Sequence, residues 1–274
     1  MRTAVITTVH GRATHLRGQL DGLTLSAHPA DLHVVVAVDD PSAADTVARS
    51  GAPAHIVCCA GGSSALPVAA ARNAGAAAAL EYGADLLVFL DVDCIPGRHL
   101  VGRYREAASQ PPHRDALLCG PVTYLPPPGP GGYPVGDVDL LAAPHPARPA
   151  PRDDEILVNT AYELFWSLSF ALTTSTWRRI GGFCTLYRGY GGEDTDFAQT
   201  AAALGVTMRW VGGADAFHQF HPVSDPPTEH LEDIVRNAAV FHRRWGWWPM
   251  TGWLQAFQQR GLITRDDAGR PQLL

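Results

Sequence analysis

The chain has 274 residues, 46% of them apolar and 18% charged, with a formal net charge of −6. That apolar fraction is enough for a packed core and rules out wholesale disorder. The negative balance, with no basic stripe, argues against a nucleic-acid binder. All 21 cationic side chains are arginine, so P-loop and Schiff-base chemistry are excluded.

In chain order, residues 3–9, 32–38, 55–58 and 85–90 are short apolar runs that read as buried strands. Residues 13–23 and 67–82 read as helices between them, the second opened by Pro67 and closed by Gly83. This alternation predicts a mostly parallel sheet with helices on both faces. Residues 121–155 are rich in proline and glycine and read as a long loop or insertion, either passive or a lid over a site. Beyond it, 193–204 has helical spacing closed by Gly205, and 206–211 reads as a strand. In 229–245, Leu231, Ile234, Val235, Ala238, Phe241 and Trp245 share one helical face. The tryptophans at 245, 247, 248 and 253 read as packing surface, with acceptor contact as the lesser alternative. One unit is expected over 1–222, carrying the insertion, with a helical extension over 223–274. The five cysteines are odd in number and lack CxxC spacing, which disfavours a disulfide framework or a cysteine-built zinc site. Without a signal-peptide layout or a run of 18 apolar residues, a cytoplasmic location is the expectation.

Three motifs carry chemistry. In LVFLDVDCIP an apolar strand ends in Asp91 and Asp93. Two carboxylates at a buried strand end are costly unless a cation or hydrogen bonds compensate, and residues two apart on a strand share a face. In YRGYGGEDTDF three glycines precede Glu193 and Asp194, which open a helix. The helix dipole there favours an ionised Asp194, ready to accept a proton. In FHQFH, His218 and His221 could join a carboxylate around manganese or a similar ion. At other strand ends stand Thr8, His10, Arg12 and Asp40, where open α/β sheets bind ligands. Arg72, in the helix before the DVD segment, could meet a diphosphate or hold the aspartates in place.

Together these segments resemble glycosyltransferases of the GT-A fold, broadly those of family 2, with motifs most similar to the β-1,4-galactosyltransferase group. FLDVDCIP resembles that group's DVD segment, and RGYGGEDTD its glycine-rich acidic segment, over roughly residues 3–222. The resemblance implies an α/β GT-A fold with a mostly parallel central sheet. It also implies an inverting, Mn2+- or Mg2+-dependent transfer of galactose, N-acetylhexosamine or a related sugar from a UDP-sugar. The acceptor would be a sugar, a lipid-linked sugar or a small molecule.

Under it, Asp93, His221 and His218 would hold the metal, with His218 in place of a methionine. Asp194 would be the base, with Glu193 beside it in the catalytic pair. Tyr190, Gly192, Glu193 and Asp194 would meet the acceptor. Thr8, His10, Arg12, Asp40, Arg72, Asp91, Val92 and Asp93 would meet the donor. Tyr190 stands where the group has tryptophan, and Thr195 where it has a third acid. The missing membrane anchor implies a cytoplasmic, bacterial-type enzyme. A nucleotidyltransferase of similar architecture, a silent nucleotide- or sugar-binding module and a metal-dependent hydrolase are the rival readings.

Overall fold

The computed structural model describes residues 1–62 and 65–274. The first half is a run of strand–helix units: β1 (Thr3–Val9), α1 (Ala13–Thr24), β2 (Leu32–Val38), α2 (Ser42–Ser50), β3 (His55–Cys59), α3 (Val68–Glu81) and β4 (Leu86–Leu90). These match the predicted runs within a residue or two. The exception is α2, whose small side chains give no long apolar stripe. Its local signal is Asp40, whose Oδ1 accepts from the Ser42 backbone N–H (3.1 Å) and hydroxyl (2.6 Å).

There follow β5 (Cys94–Pro96), α4 (Leu100–Ser109), β6 (Leu117–Cys119), β7 (Val122–Tyr124), β8 (Ile156–Asn159) and β9 (Ser169–Thr173). The chain continues through α5 (Thr174–Ile180), α6 (Glu193–Ala203), β10 (Met208–Val211), β11 (Ala216–His218), α7 (Leu231–Trp245) and α8 (Thr251–Gln259). It ends in the hairpin β12 (Ile263–Arg265) and β13 (Pro271–Leu273).

The main sheet runs β3-β2-β1-β4-β9-β6-β10-β8. Its first four strands are parallel, whereas β9 is antiparallel to both β4 and β6 and β8 is antiparallel to β10. Val34, Val36 and Leu87 are fully buried, as a sheet covered on both faces requires. A small sheet, β5-β11-β7, sits beside it. Its register sets His218 opposite both Cys94 and Tyr124. A histidine over a hundred residues away is thereby delivered to the neighbour of Asp93.

Helix α6 is fixed by aromatic packing. Phe197 stacks on Phe183 at 4.3 Å between ring centroids, and Phe170 stacks on Phe89 of β4 at 4.6 Å. Burying each ring contributes about 1.5–3 kcal/mol, and the cluster ties the start of α6 to the end of β4.

The 121–155 stretch is anchored. Val138 is buried with Ile95, Leu125 and Phe217, and the buried Arg148 guanidinium lies 4.5 Å over the Trp166 ring. No described helix is long and apolar enough to cross a membrane.

Candidate active site

At the end of β4 the chain turns rather than extending. Cys94 N–H donates to the Asp91 carbonyl at 2.8 Å, so Asp91-Val92-Asp93 is a tight turn before β5. The two carboxylates therefore do not share a strand face, contrary to the sequence expectation, and each has its own partners. Asp91 Oδ1 accepts from Arg72 at 2.9 Å. Asp93 Oδ2 lies 3.4 Å from both His218 Nε2 and His221 Nε2.

Burial pushes the Asp93 carboxyl up, but hydrogen bonds from the two imidazoles outweigh it and hold the group below the usual carboxylate range. Burial pushes Asp91 up to about 6, against the attraction of Arg72. Two imidazoles and one carboxylate with mutually close ligand atoms form a donor set suited to manganese or a related divalent ion. Asp93, His218 and His221 thus fit a metal by their own chemistry.

Arg72 is buried and joins the two motifs. One nitrogen holds Asp91, and the other holds Glu193 Oε1 at 3.0 Å. Burial disfavours its charge, yet Asp91 and Glu193 more than compensate and keep it cationic. Of the two sequence readings for Arg72, holding an aspartate is realised, and Glu193 is a partner that the sequence did not indicate. Glu193 Oε2 is buried and has no hydrogen-bond partner among the described residues.

Asp194 is partly buried. Its Oδ1 accepts from the Thr195 backbone N–H at 2.7 Å and from the Thr195 hydroxyl at 3.3 Å. Burial, then the Glu193 charge, pushes its carboxyl up to about 7. Dipole reasoning predicted a plainly ionised group. Burial next to a second acid wins instead.

The glycine-rich loop is held by α7. Asn237, fully buried, donates through Nδ2 to the carbonyls of Arg188 (2.9 Å), Tyr190 (3.2 Å) and Gly191 (2.8 Å). Asp233 accepts from the Tyr190 N–H at 3.1 Å. A Cβ at Gly189 would collide with the Asp233 carboxylate, and one at Gly191 would sit 2.9 Å from Met250 Sδ. Both glycines also have positive φ, of 69° and 89°. The run of glycines is thus demanded by the approach of the C-terminal helices.

These parts meet in a cavity of about 870 Å3, within the range of small-molecule sites. Thr8, Arg72, Asp91, Val92 and Asp93 line it together with Tyr190, Gly192, Glu193 and Asp194. His218 and His221 are not among its described lining residues and stand behind Asp93, which is. His10, Arg12 and Asp40 do not line it. They form a neighbouring group at the ends of β1 and β2, where His10 Nδ1 meets the Val38 carbonyl (2.7 Å) and Asp40 Oδ2 accepts from Gly11 N–H (2.9 Å). Of 121–155, Tyr124 alone lines the cavity among the described residues.

The tryptophan-rich tail packs as expected, Trp248 and Trp253 against the Ile234–Leu254 cluster, Trp245 against Phe241 and Val240, and Trp247 on Phe241 at 4.6 Å, and part of it also faces the cavity. Trp247, Trp248 and Trp253 line the cavity, whereas Trp245 packs behind it and donates to Asp196 at 2.7 Å. Two residues that the sequence reading missed hold the machinery from beneath: Gln19, under the DVD turn, and Asn237. Each is a polar residue on an otherwise buried helix face, a signal visible only once the face is known.

Residues 154–222 match the family described as the N-terminal domain of galactosyltransferase. That stretch includes the acidic pair and both histidines. No curated protein matches the chain. Among solved structures, Staphylococcus aureus TarS 1–349 in complex with UDP-GlcNAc is similar at a TM-score of 0.61 and 11% identity, covering 96% of this chain and 79% of that one. A mannosyltransferase from Pyrobaculum calidifontis, in complex with GDP-mannose and Mn2+, gives 0.55 and 16%, covering 88% and 64%. GalNAc-T7 with UDP, GalNAc and Mn2+ gives 0.58 and 12%, covering 80% and 43%. The chain spans less than two thirds of the mannosyltransferase and under half of GalNAc-T7.

Proposed function

We propose that this chain, whose fold is the GT-A glycosyltransferase fold, moves a sugar from a UDP-sugar to an acceptor hydroxyl, inverting the anomeric carbon and depending on Mn2+ or Mg2+. The observation that carries the reading is that Asp93, at the centre of a two-histidine donor set, and Asp194, a carboxyl with affinity for a proton near neutrality, line one cavity.

Asp93, His218 and His221 would hold the ion, which when bound neutralises charge on a leaving diphosphate, a contribution of several kcal/mol. Asp194 has its Oδ2 clear of the Thr195 contacts. It takes the acceptor hydroxyl proton as that oxygen bonds to the anomeric carbon and the sugar–diphosphate bond breaks on the opposite face. Glu193, whose Oε1 is fixed by Arg72, stands beside Asp194 on the acceptor side of the cavity. Thr8 and Val92 border the donor. His10, Arg12 and Asp40 lie along the same sheet edge, on the nucleoside side. The Tyr190 ring is stacked on His230 at 4.5 Å and lies 5.8 Å from Trp253, and it would meet the acceptor from the cavity it lines.

The test is a donor screen with chelation. UDP-sugars with Mn2+ should raise the melting temperature, and turnover should release free UDP and the opposite anomer. EDTA should abolish turnover and Mn2+ restore it. Release of pyrophosphate, retention of the anomer or full activity in EDTA would each defeat the corresponding part of the reading.

A further inference from the structure

The cavity is chemically divided. One half carries the acids and Arg72, and the other is walled by one continuous segment of the C-terminal region, Trp247, Trp248, Pro249, Met250 and Trp253. That segment lies beyond the galactosyltransferase-matching stretch, which ends at residue 222. Its backbone is constrained. Met250 has φ of +50°, uncommon for a residue with a side chain, and its sulfur rests against Gly191. Trp253, on the first turn of α8, lies 5.8 Å from the Tyr190 ring, so the wall continues into the loop that carries the acidic pair. Trp247 keeps 41% of its surface exposed.

Charge narrows what this wall faces. Arg72 is the one cation among the described lining residues, and it is already paired to Asp91 and Glu193. Five lining side chains are acids: Asp91, Asp93, Glu163, Glu193 and Asp194. A phosphate-bearing acceptor would find Arg72 already paired, and would meet the carboxyls of Glu163 and Asp194, which Arg72 does not hold. A bare sugar would find only the Thr251 hydroxyl and the indole N–H groups as side-chain hydrogen-bonding groups of the 247–253 wall, whose remaining surface is aromatic ring, thioether and pyrrolidine. A flat apolar group finds stacking surfaces and loses no hydrogen bonds on entry.

We propose that the 247–253 segment selects a neutral acceptor in which an apolar ring lies next to the accepting hydroxyl. This rests on the glycosyltransferase reading above and names its acceptor class. Trp247, Trp253 and Met250 form the ring's seat, and Glu193 and Asp194 face the hydroxyl.

The test uses the full chain with Mn2+ and a nucleoside diphosphate. Calorimetry compares phenyl and methyl β-glycosides of glucose, galactose and N-acetylglucosamine, with glucose 1-phosphate as the anionic probe. The phenyl member of at least one pair should bind tenfold or more tightly than its methyl partner. Trp253→Ala should cut that preference below threefold, and Trp253→Phe should keep most of it. Trp247→Ala, at an exposed indole, should weaken the preference in a protein of unaltered circular dichroism. In turnover the loss should fall on the acceptor KM, with kcat within twofold. Equal or absent binding of phenyl and methyl glycosides, or tighter binding of glucose 1-phosphate, overturns the inference alone when the nucleotide still binds. Failure of both UDP and GDP to bind with Mn2+ overturns the glycosyltransferase reading, and this inference with it.

Discussion

Gln19 donates through Nε2 to the carbonyl oxygen of Asp91 at 2.7 Å, so a buried side chain of α1 holds the turn that presents Asp93. The same nitrogen reaches the Cys94 carbonyl at 3.1 Å. Its Oε1 accepts from Thr7 at 2.7 Å, and Thr7 in turn meets His33 Nε2 at 3.1 Å. A polar relay thus crosses the core from β2 through β1 to the turn that presents Asp93. Gln19→Leu keeps the volume and removes the donor. It should raise the Mn2+ dissociation constant by about 10–100-fold and cost about 1–3 kcal/mol of stability, because the buried Thr7 hydroxyl loses its acceptor and two carbonyls each lose a donor. Calorimetric Mn2+ titration checks the first, and an unchanged dissociation constant would show that the relay does not set the turn.

Asp194→Asn should lower kcat by about 10²–10⁴-fold while leaving nucleotide binding in place. Wild-type kcat/KM should rise with pH on a limb centred near 7, because the base works only once deprotonated. Stability runs the other way. The carboxyl sits near 7 folded against 3.8 in the unfolded chain, so the folded state binds more protons between these values. Stability is therefore fullest below pH 3.8 and is lost as pH rises through 7. Asn keeps the acceptor oxygen for Thr195 without the buried charge. At pH 8 it should melt higher than wild type, on the order of 5 °C. A lower melting point, or a pH limb unmoved in kinetics of the residual activity, would remove Asp194 from this role.

Asn237→Ala releases the carbonyls of residues 188, 190 and 191 that one amide holds together. The loop between α5 and α6 should then lose its shape without disturbing Asp93, His218 and His221, which belong to other elements. Expected is an acceptor KM raised by about tenfold or more, since small misplacement of bound groups is costly, with Mn2+ affinity within twofold of wild type. A donor-side defect of equal size would mean that α7 supports the whole fold rather than the loop.

Much of this was legible in the sequence, for a physical reason. Buried parallel strands are continuous apolar runs, so β1 and β2 match 3–9 and 32–38, and α7 follows its stripe from Leu231 to Trp245. The site was legible where chemistry is concentrated in short motifs, as at Asp93, His218, His221, Glu193 and Asp194. What escaped depends on three-dimensional pairing. The DVD segment looks like a strand end, but the hydrogen bond from Cys94 to Asp91 folds it into a turn and separates its acids. Asp194 looks ionised from its helix position, but its pKa is decided by burial beside Glu193. Trp247 and Trp253 pack, as aromatic residues usually do, but that they also line the cavity follows only from the fold that brings residues 247–253 up to Gly191.

His33 should govern how the fold responds to acid. It is fully sequestered, and burial pulls its imidazole down to about 4 from 6.5. Between those values the unfolded chain takes up a proton that the folded chain refuses. The stability associated with His33 is thus complete above pH 6.5 and falls as pH drops toward 4. At pH 5 the loss should be about 2 kcal/mol. His33→Gln keeps a donor for Thr7 and has no proton to gain. Urea unfolding at pH 7 and pH 5 should therefore show a midpoint that falls clearly in wild type and much less in the variant. Equal pH slopes for the two proteins would place the acid sensitivity elsewhere in the molecule.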